Sequence, residues 1–173
     1  MATDPYELYP VISQIAVAFA GFGSLASGLR RRRGADDAKL DAFRLFSMLQ
    51  VSITATILGL MPAVLISLGV EGRWAVGAPA AMTAITIIYR TPIAVKRSNR
   101  LRNVPGYSAS SALLNNLLVL VSFVAFTLCA LGVPDDKVAG LYLVGLMAVL
   151  GMSANMFSRV ITSMLRPHSR AEE

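Results

Sequence analysis

Apolar residues along this chain are gathered into long runs, and the charges lie between them. Residues 11–29, 45–70, 74–89, 103–134 and 138–158 contain no Asp, Glu, Lys, Arg or His. A helix needs about 20 apolar residues to cross a hydrocarbon core ~30 Å thick. The first run has 19 residues, the second 26 and the fifth 21; the apolar part of the fourth, residues 111–133, has 23. The third is short, at 16. Backbone groups in lipid must be satisfied within the chain, so a span is a helix or part of a closed barrel. Barrel strands alternate apolar and polar residues, and these runs do not.

The pattern predicts an all-α integral membrane protein, a single polytopic domain over residues 1–173. Five transmembrane helices are expected at about 10–29, 45–70, 74–92, 111–133 and 138–160. Spans two and three form one helical hairpin and spans four and five another, with span one standing before them. The loops 30–44 and 93–110 and the tail 161–173 carry most of the charge.

Composition agrees. The chain is 55% hydrophobic and 15% charged, against about 25% charged in ordinary globular proteins. So few polar residues cannot cover five apolar helices in water. The formal charge of +6 would suggest nucleic acid in a soluble protein. Here the basic residues flank apolar runs, so they read as topology signals and headgroup contacts, and no nucleic-acid partner is expected.

Those charges also orient the chain. Arg30, Arg31, Arg32, Arg33, Lys39 and Arg44 follow span one; Arg90, Lys96, Arg97, Arg100 and Arg102 follow span three; Arg159, Arg166 and Arg170 follow span five. These are 14 of the 16 basic residues. The opposite side carries Asp4, Glu7, Glu71, Arg73, Asp135, Asp136 and Lys137. Basic loops stay in the cytoplasm, which puts the N-terminus outside and the C-terminus inside. The same rule makes the short third segment a true span, bracketed by Trp74 and Tyr89, with Arg90 snorkelling to the inner interface. Span one has its positive charge after the apolar run, the reverse of a secretory signal, so it is expected to be retained. Arginine outnumbers lysine 13 to 3, which suggests a high-GC bacterial genome and a cytoplasmic (inner) membrane.

Punctuation residues divide the chain further. Asp36 or Asp37 is placed to cap helix two, which begins in the interface. Pro62 is expected to kink it, and Pro92 to bend the end of helix three. Residues 103–110, with Pro105 and Gly106, read as a loop. Leu68-Gly69-Val70 recurs as Leu131-Gly132-Val133, and Arg90 and Arg97 are spaced like Arg159 and Arg166. The recurrence fits either a parallel duplication or two hairpins of equal topology.

The candidate chemistry is confined to a few polar groups. No predicted span holds a carboxylate, lysine or histidine, the groups that proton relays and cation coupling require. What remains is Gln50 and Thr54 in span two, Thr86 and Arg90 in span three, Asn115 and Asn116 in span four, and Asn155 and Arg159 in span five. The orientation above sets all of these in the cytoplasmic half, where they form a candidate polar vestibule for small anionic or neutral solutes. The same side chains also serve as ordinary helix-to-helix bridges. Ala16, Ala20, Ser24 and Gly28 recur every four residues on span one, a candidate close-contact face toward a partner or within the chain. Arg30, Arg31, Arg32 and Arg33 are a candidate contact for anionic lipid.

The only histidine, His168, lies in the tail, and the only cysteine, Cys129, in span four. No catalytic constellation, cofactor motif or metal-ligand cluster appears. The expectation is therefore not an enzyme. It is an oligomeric channel or passive transporter, or alternatively an accessory subunit bound to another membrane protein through span one.

Overall fold

The structure, a computed structural model, describes residues 5–28, 35–70, 73–101, 109–133 and 135–165. Five long helices carry it: α1 (Pro5–Gly28), α2 (Ala35–Ser67), α3 (Trp74–Leu101), α4 (Ala109–Leu131) and α5 (Val138–Leu165). A single 3-10 turn, Asp135–Lys137, leads into α5, and no strand occurs among the described residues. Each helix holds a segment long and apolar enough to cross a membrane: Glu7–Leu25, Leu45–Ser67, Trp74–Lys96, Ala109–Leu131 and Val138–Thr162. The molecule is an all-α, multi-pass membrane protein.

The third helix removes the difficulty of its short charge-free run. It continues through Arg90 and Pro92 to Leu101, and its membrane-competent part has 23 residues. Of the segment expected as loop after residue 92, residues 93–101 are helical, and residues 102–108 lie outside the described residues. Proline at position 92 removes one helical hydrogen bond, at the carbonyl of Ile88, without ending the helix. α2 begins at Ala35, so Asp36 and Asp37 fall in its first turn. α4 begins at Ala109, slightly before its apolar run.

Two ends of the bundle can be told apart. The tight turns after α2 and α4 lie at one end. The other end, toward which Arg90, Lys96 and Arg97 of α3 and Arg159 of α5 lie, is called here the basic end. Both tight turns are built alike. At the first, the Gly69 N–H donates to Ile66 O (2.9 Å) and the Val70 N–H to Leu65 O (3.0 Å). At the second, Gly132 donates to Cys129 O (3.1 Å) and Val133 to Leu128 O (3.2 Å). Gly69 has φ 83° and Gly132 φ 69°, in the left-handed region that favours glycine. This is the paired-bond helix stop in which an apolar residue follows the glycine. The repeated Leu-Gly-Val therefore has a local cause, the capping of two helices that must turn within a few residues.

α5 is the axis of the bundle. Half of its span is buried, 50%, against 22–28% in the other four. α1, α2 and α4 all pack on it, whereas α3 leans chiefly on α4 and less on α2. The two expected hairpins are consequently unequal: α4–α5 is an extensive pairing, and α2 turns more of its surface to α1 and α5 than to α3.

Small residues allow these approaches. A Cβ on Gly59 of α2 would fall 2.8 Å from the Tyr9 carbonyl oxygen of α1, and one on Gly145 of α5 2.7 Å from the Phe126 ring of α4. Such contacts replace the hydrophobic effect, which gives no drive to helix association when lipid tails are the alternative. Away from the core the surface is apolar: Phe22, Leu25, Leu113, Leu117 and Ile88 are all exposed, as lipid-facing side chains are.

Candidate functional site in the basic half

Helix geometry decides which polar groups share a level. The midpoints of the spans of α2, α3, α4 and α5 fall at Thr56, Ile85, Leu120 and Leu150. Gln50 lies six residues toward the basic end of its midpoint, and Arg90, Asn115 and Asn155 five each. At 1.5 Å per residue that is about 8–9 Å from the middle of the membrane. Four helices thus contribute one amide or guanidinium each to a single layer.

The layer is organised as two bridges. With its oxygen turned to the guanidinium, the Gln50 carboxamide accepts from both Nη1 and Nη2 of Arg90, joining α2 to α3. That amide orientation is the one its neighbours satisfy. Asn155 Nδ2 donates to Asn115 Oδ1 (2.9 Å) and Ser111 Oγ (3.0 Å), with the Ser111 carbonyl oxygen at 3.4 Å, joining α5 to α4. Nearer the midplane, Ser52 and Ser153 share a fully buried hydrogen bond of 2.6 Å between α2 and α5. In this half of the bundle, polar contacts among the described residues therefore span three of the four junctions around α2, α3, α4 and α5.

The remaining candidate residues take other positions. Thr54 is half-buried and its hydroxyl donates to Gln50 O (2.8 Å). Thr86 is exposed and donates to Met82 O (2.8 Å). Both hydroxyl protons are spent on the preceding turn of their own helix. Asn116 is exposed, on the side of α4 away from Ser111 and Asn115. Arg159 is half-buried, one turn closer to the basic end than Asn155. On α1, Ala16 is fully buried within the chain, Ala20 half-buried and Ser24 exposed, its hydroxyl donating to Ala20 O. Gly28 is the last residue of α1, and the four arginines Arg30–Arg33 lie outside the described residues.

The other half of the bundle is closed by aromatics. Tyr9 of α1 and Tyr142 of α5 meet edge to face at 5.3 Å between ring centroids, and Tyr142 meets Phe126 of α4 at 5.5 Å. All three rings are buried to 2% exposure or less. The Tyr9 hydroxyl donates to Ala139 O (2.8 Å), and that of Tyr142 to Leu58 O (2.6 Å). The second bond has a reason. Leu58 stands four residues before Pro62, which has no N–H to offer its carbonyl. An acceptor left open in lipid costs free energy, and Tyr142 supplies the missing donor. Ser13 Oγ likewise reaches from α1 to Thr56 O (3.1 Å).

Ser52, Ser111, Ser153 and Tyr142 were not singled out in the sequence reading. Serine is too common in membrane helices to mark a bridge alone, but a proline four residues after Leu58 does announce an open carbonyl.

One hydroxyl lacks this treatment. Thr127 Oγ1 on α4 is buried with no hydrogen-bond partner among the described residues. Thr127→Val keeps the shape and removes the unsatisfied group, so detergent-unfolding stability is expected to hold or rise, by up to about 1 kcal/mol. A loss of that size would mean that the hydroxyl is bonded.

No group of three or more His, Cys, Asp or Glu that would hold a metal ion occurs among the described residues. Comparison of the chain with protein-family models, with curated proteins and with solved structures finds no match.

Proposed function

We propose that the protein is a passive channel or carrier for small anions or hydrogen-bonding neutral solutes, with the layer of Gln50, Arg90, Asn115 and Asn155 as its site. The observation that carries this reading is the placement of four polar groups, on four different helices, at one depth. Arg90 is the one cation of the layer. A guanidinium has five N–H donors, so the bond to Gln50 leaves others for an anion or a carbonyl. The positive-inside rule sets this layer toward the cytoplasm, within reach of cytosolic solutes. The buried Tyr9, Tyr142 and Phe126 tier closes the opposite half in this conformation. A complete passage requires the rings to part. The spans hold no carboxylate, lysine or histidine at this depth, which favours movement down a gradient over proton-coupled work.

Purified protein in liposomes tests the reading. Under a chloride or glycerol gradient, flux above that of empty vesicles is expected. Arg90→Gln should reduce anion flux on the order of tenfold, equivalent to about 1.4 kcal/mol, with a smaller effect on glycerol. Absence of flux for both solutes, with the protein correctly folded, would overturn it.

A further inference from the structure

The buried face of α1 is marked by Tyr9, Ile12, Ser13, Ala16 and Gly23, which pack on α2 and α5. At 100° per residue the opposite face is centred on Gln14, Ala18, Gly21 and Leu25, and all four are exposed. Two of these residues are unexpected on a surface that meets lipid. Gln14 stands two residues from Ala16, the midpoint of the span Glu7–Leu25, which is about 3 Å from the bilayer centre. A carboxamide there is among the costliest neutral groups to leave in hydrocarbon, and Gln14 has no hydrogen-bond partner among the described residues. Gly21, two turns along the same face, weakens a helix relative to alanine. A Cβ at Gly21 would meet nothing within 4 Å, so nothing within the chain requires a glycine there. Gly59 and Gly145, by contrast, each face a neighbouring helix.

From these two features we infer that the Gln14–Ala18–Gly21 face of α1 is a homodimer interface, occupied by the same face of a second copy of this chain. The second copy is favoured by the chemistry of the amide, which carries both a donor and an acceptor. Two copies inserted in the same direction are related by an axis along the membrane normal. Every residue then meets its counterpart at its own depth, so Gln14 is automatically level with Gln14 of the partner. A pair of amides across that axis satisfies each other, and Ala18 and Gly21 let the two helix backbones come close enough for them to reach. The inference is independent of the solute reading, since α1 contributes nothing to the Gln50–Arg90 and Asn115–Asn155 bridges.

Single-cysteine cross-linking in liposomes of purified protein tests it. In a Cys129→Ser background, Ala18→Cys should form disulfide-linked dimers on oxidation, while Leu117→Cys, on the exposed surface of α4, should not. In the wild-type background, donor–acceptor energy transfer between labelled copies should show Gln14→Leu weakening association about three- to thirtyfold, the range spanned by such bonds in membranes. Gln14→Asn should retain much of it, and Gly21→Leu should abolish it. Because positions 14 and 21 are exposed and a Cβ at Gly21 would meet nothing within 4 Å, the unfolding midpoint of the monomer should not fall in the Gln14 and Gly21 variants. Equal cross-linking at positions 18 and 117, or association unchanged by Gln14→Leu, would overturn the interface. In cell membranes, transfer of the Ala18→Cys cross-link to a chain of different mass would overturn the second copy as its occupant.

Discussion

Gly59→Ala is expected to destabilise the bundle by about 2–3 kcal/mol, the upper range for overpacking a tight interface. The added methyl would lie 2.8 Å from the Tyr9 carbonyl oxygen and would also strike the Ser13 hydroxyl. The hydroxyl can be removed but the carbonyl cannot, since it belongs to the backbone of α1. Ser13→Ala in the same chain should therefore restore only part of the loss. α1 would have to move off α2, breaking the Ser13 to Thr56 bond and loosening Tyr9 from Ala139. Gly140→Ala is the matched control, because its Cβ would meet nothing within 4 Å. Denaturation in mixed micelles, followed by helix content and by Tyr fluorescence, measures both. Equal stability of the Gly59 and Gly140 variants would show that α1 and α2 do not approach this closely.

Tyr142→Phe should cost about 1–3 kcal/mol, since it keeps the ring and removes the donor from a buried carbonyl. Its distinguishing feature is a coupling to Pro62. In Tyr142→Phe the Leu58 carbonyl has neither a side-chain donor nor a helical one. Pro62→Ala restores an N–H four residues ahead, so the double variant should recover part of the loss. The interaction energy from the four-member cycle is expected to be about 1 kcal/mol. Strict additivity would mean that the tyrosine does not answer the proline.

The segregation of charge makes the five helices and the punctuation between them readable in the sequence. Lipid imposes a length and a continuity that few other environments demand, so residues 45–70 and 138–158 admit one reading. The pairing of helices was not readable. An apolar helix in lipid has no wet face and dry face to distinguish, so nothing along α5 announces that it would be the central one. The layer of amides was partly readable: Gln50, Asn115 and Asn155 stand out because amides are rare and costly there. The short serines that complete it do not. Gln50 and Thr54 stand four residues apart on span two, a spacing at which helical side chains are neighbours. Only the fold reveals that Gln50 turns to Arg90 while Thr54 bonds its own backbone. The Leu-Gly-Val recurrence answers a local demand, the capping of α2 and α4 before tight turns.

The position of α5 bears on biogenesis. It is the last of the five to leave the ribosome, and it is the one on which α1, α2 and α4 converge. Until it arrives, α1 has only α2 to lean on, and α4 only α3, with the slight α2–α3 contact as the link between the two pairs. Insertion can proceed helix by helix, but the finished arrangement is reached in a single late event. A nascent chain stalled before Val138 would leave two weakly joined pairs exposing the surfaces that α5 covers, the kind of substrate that membrane quality control removes.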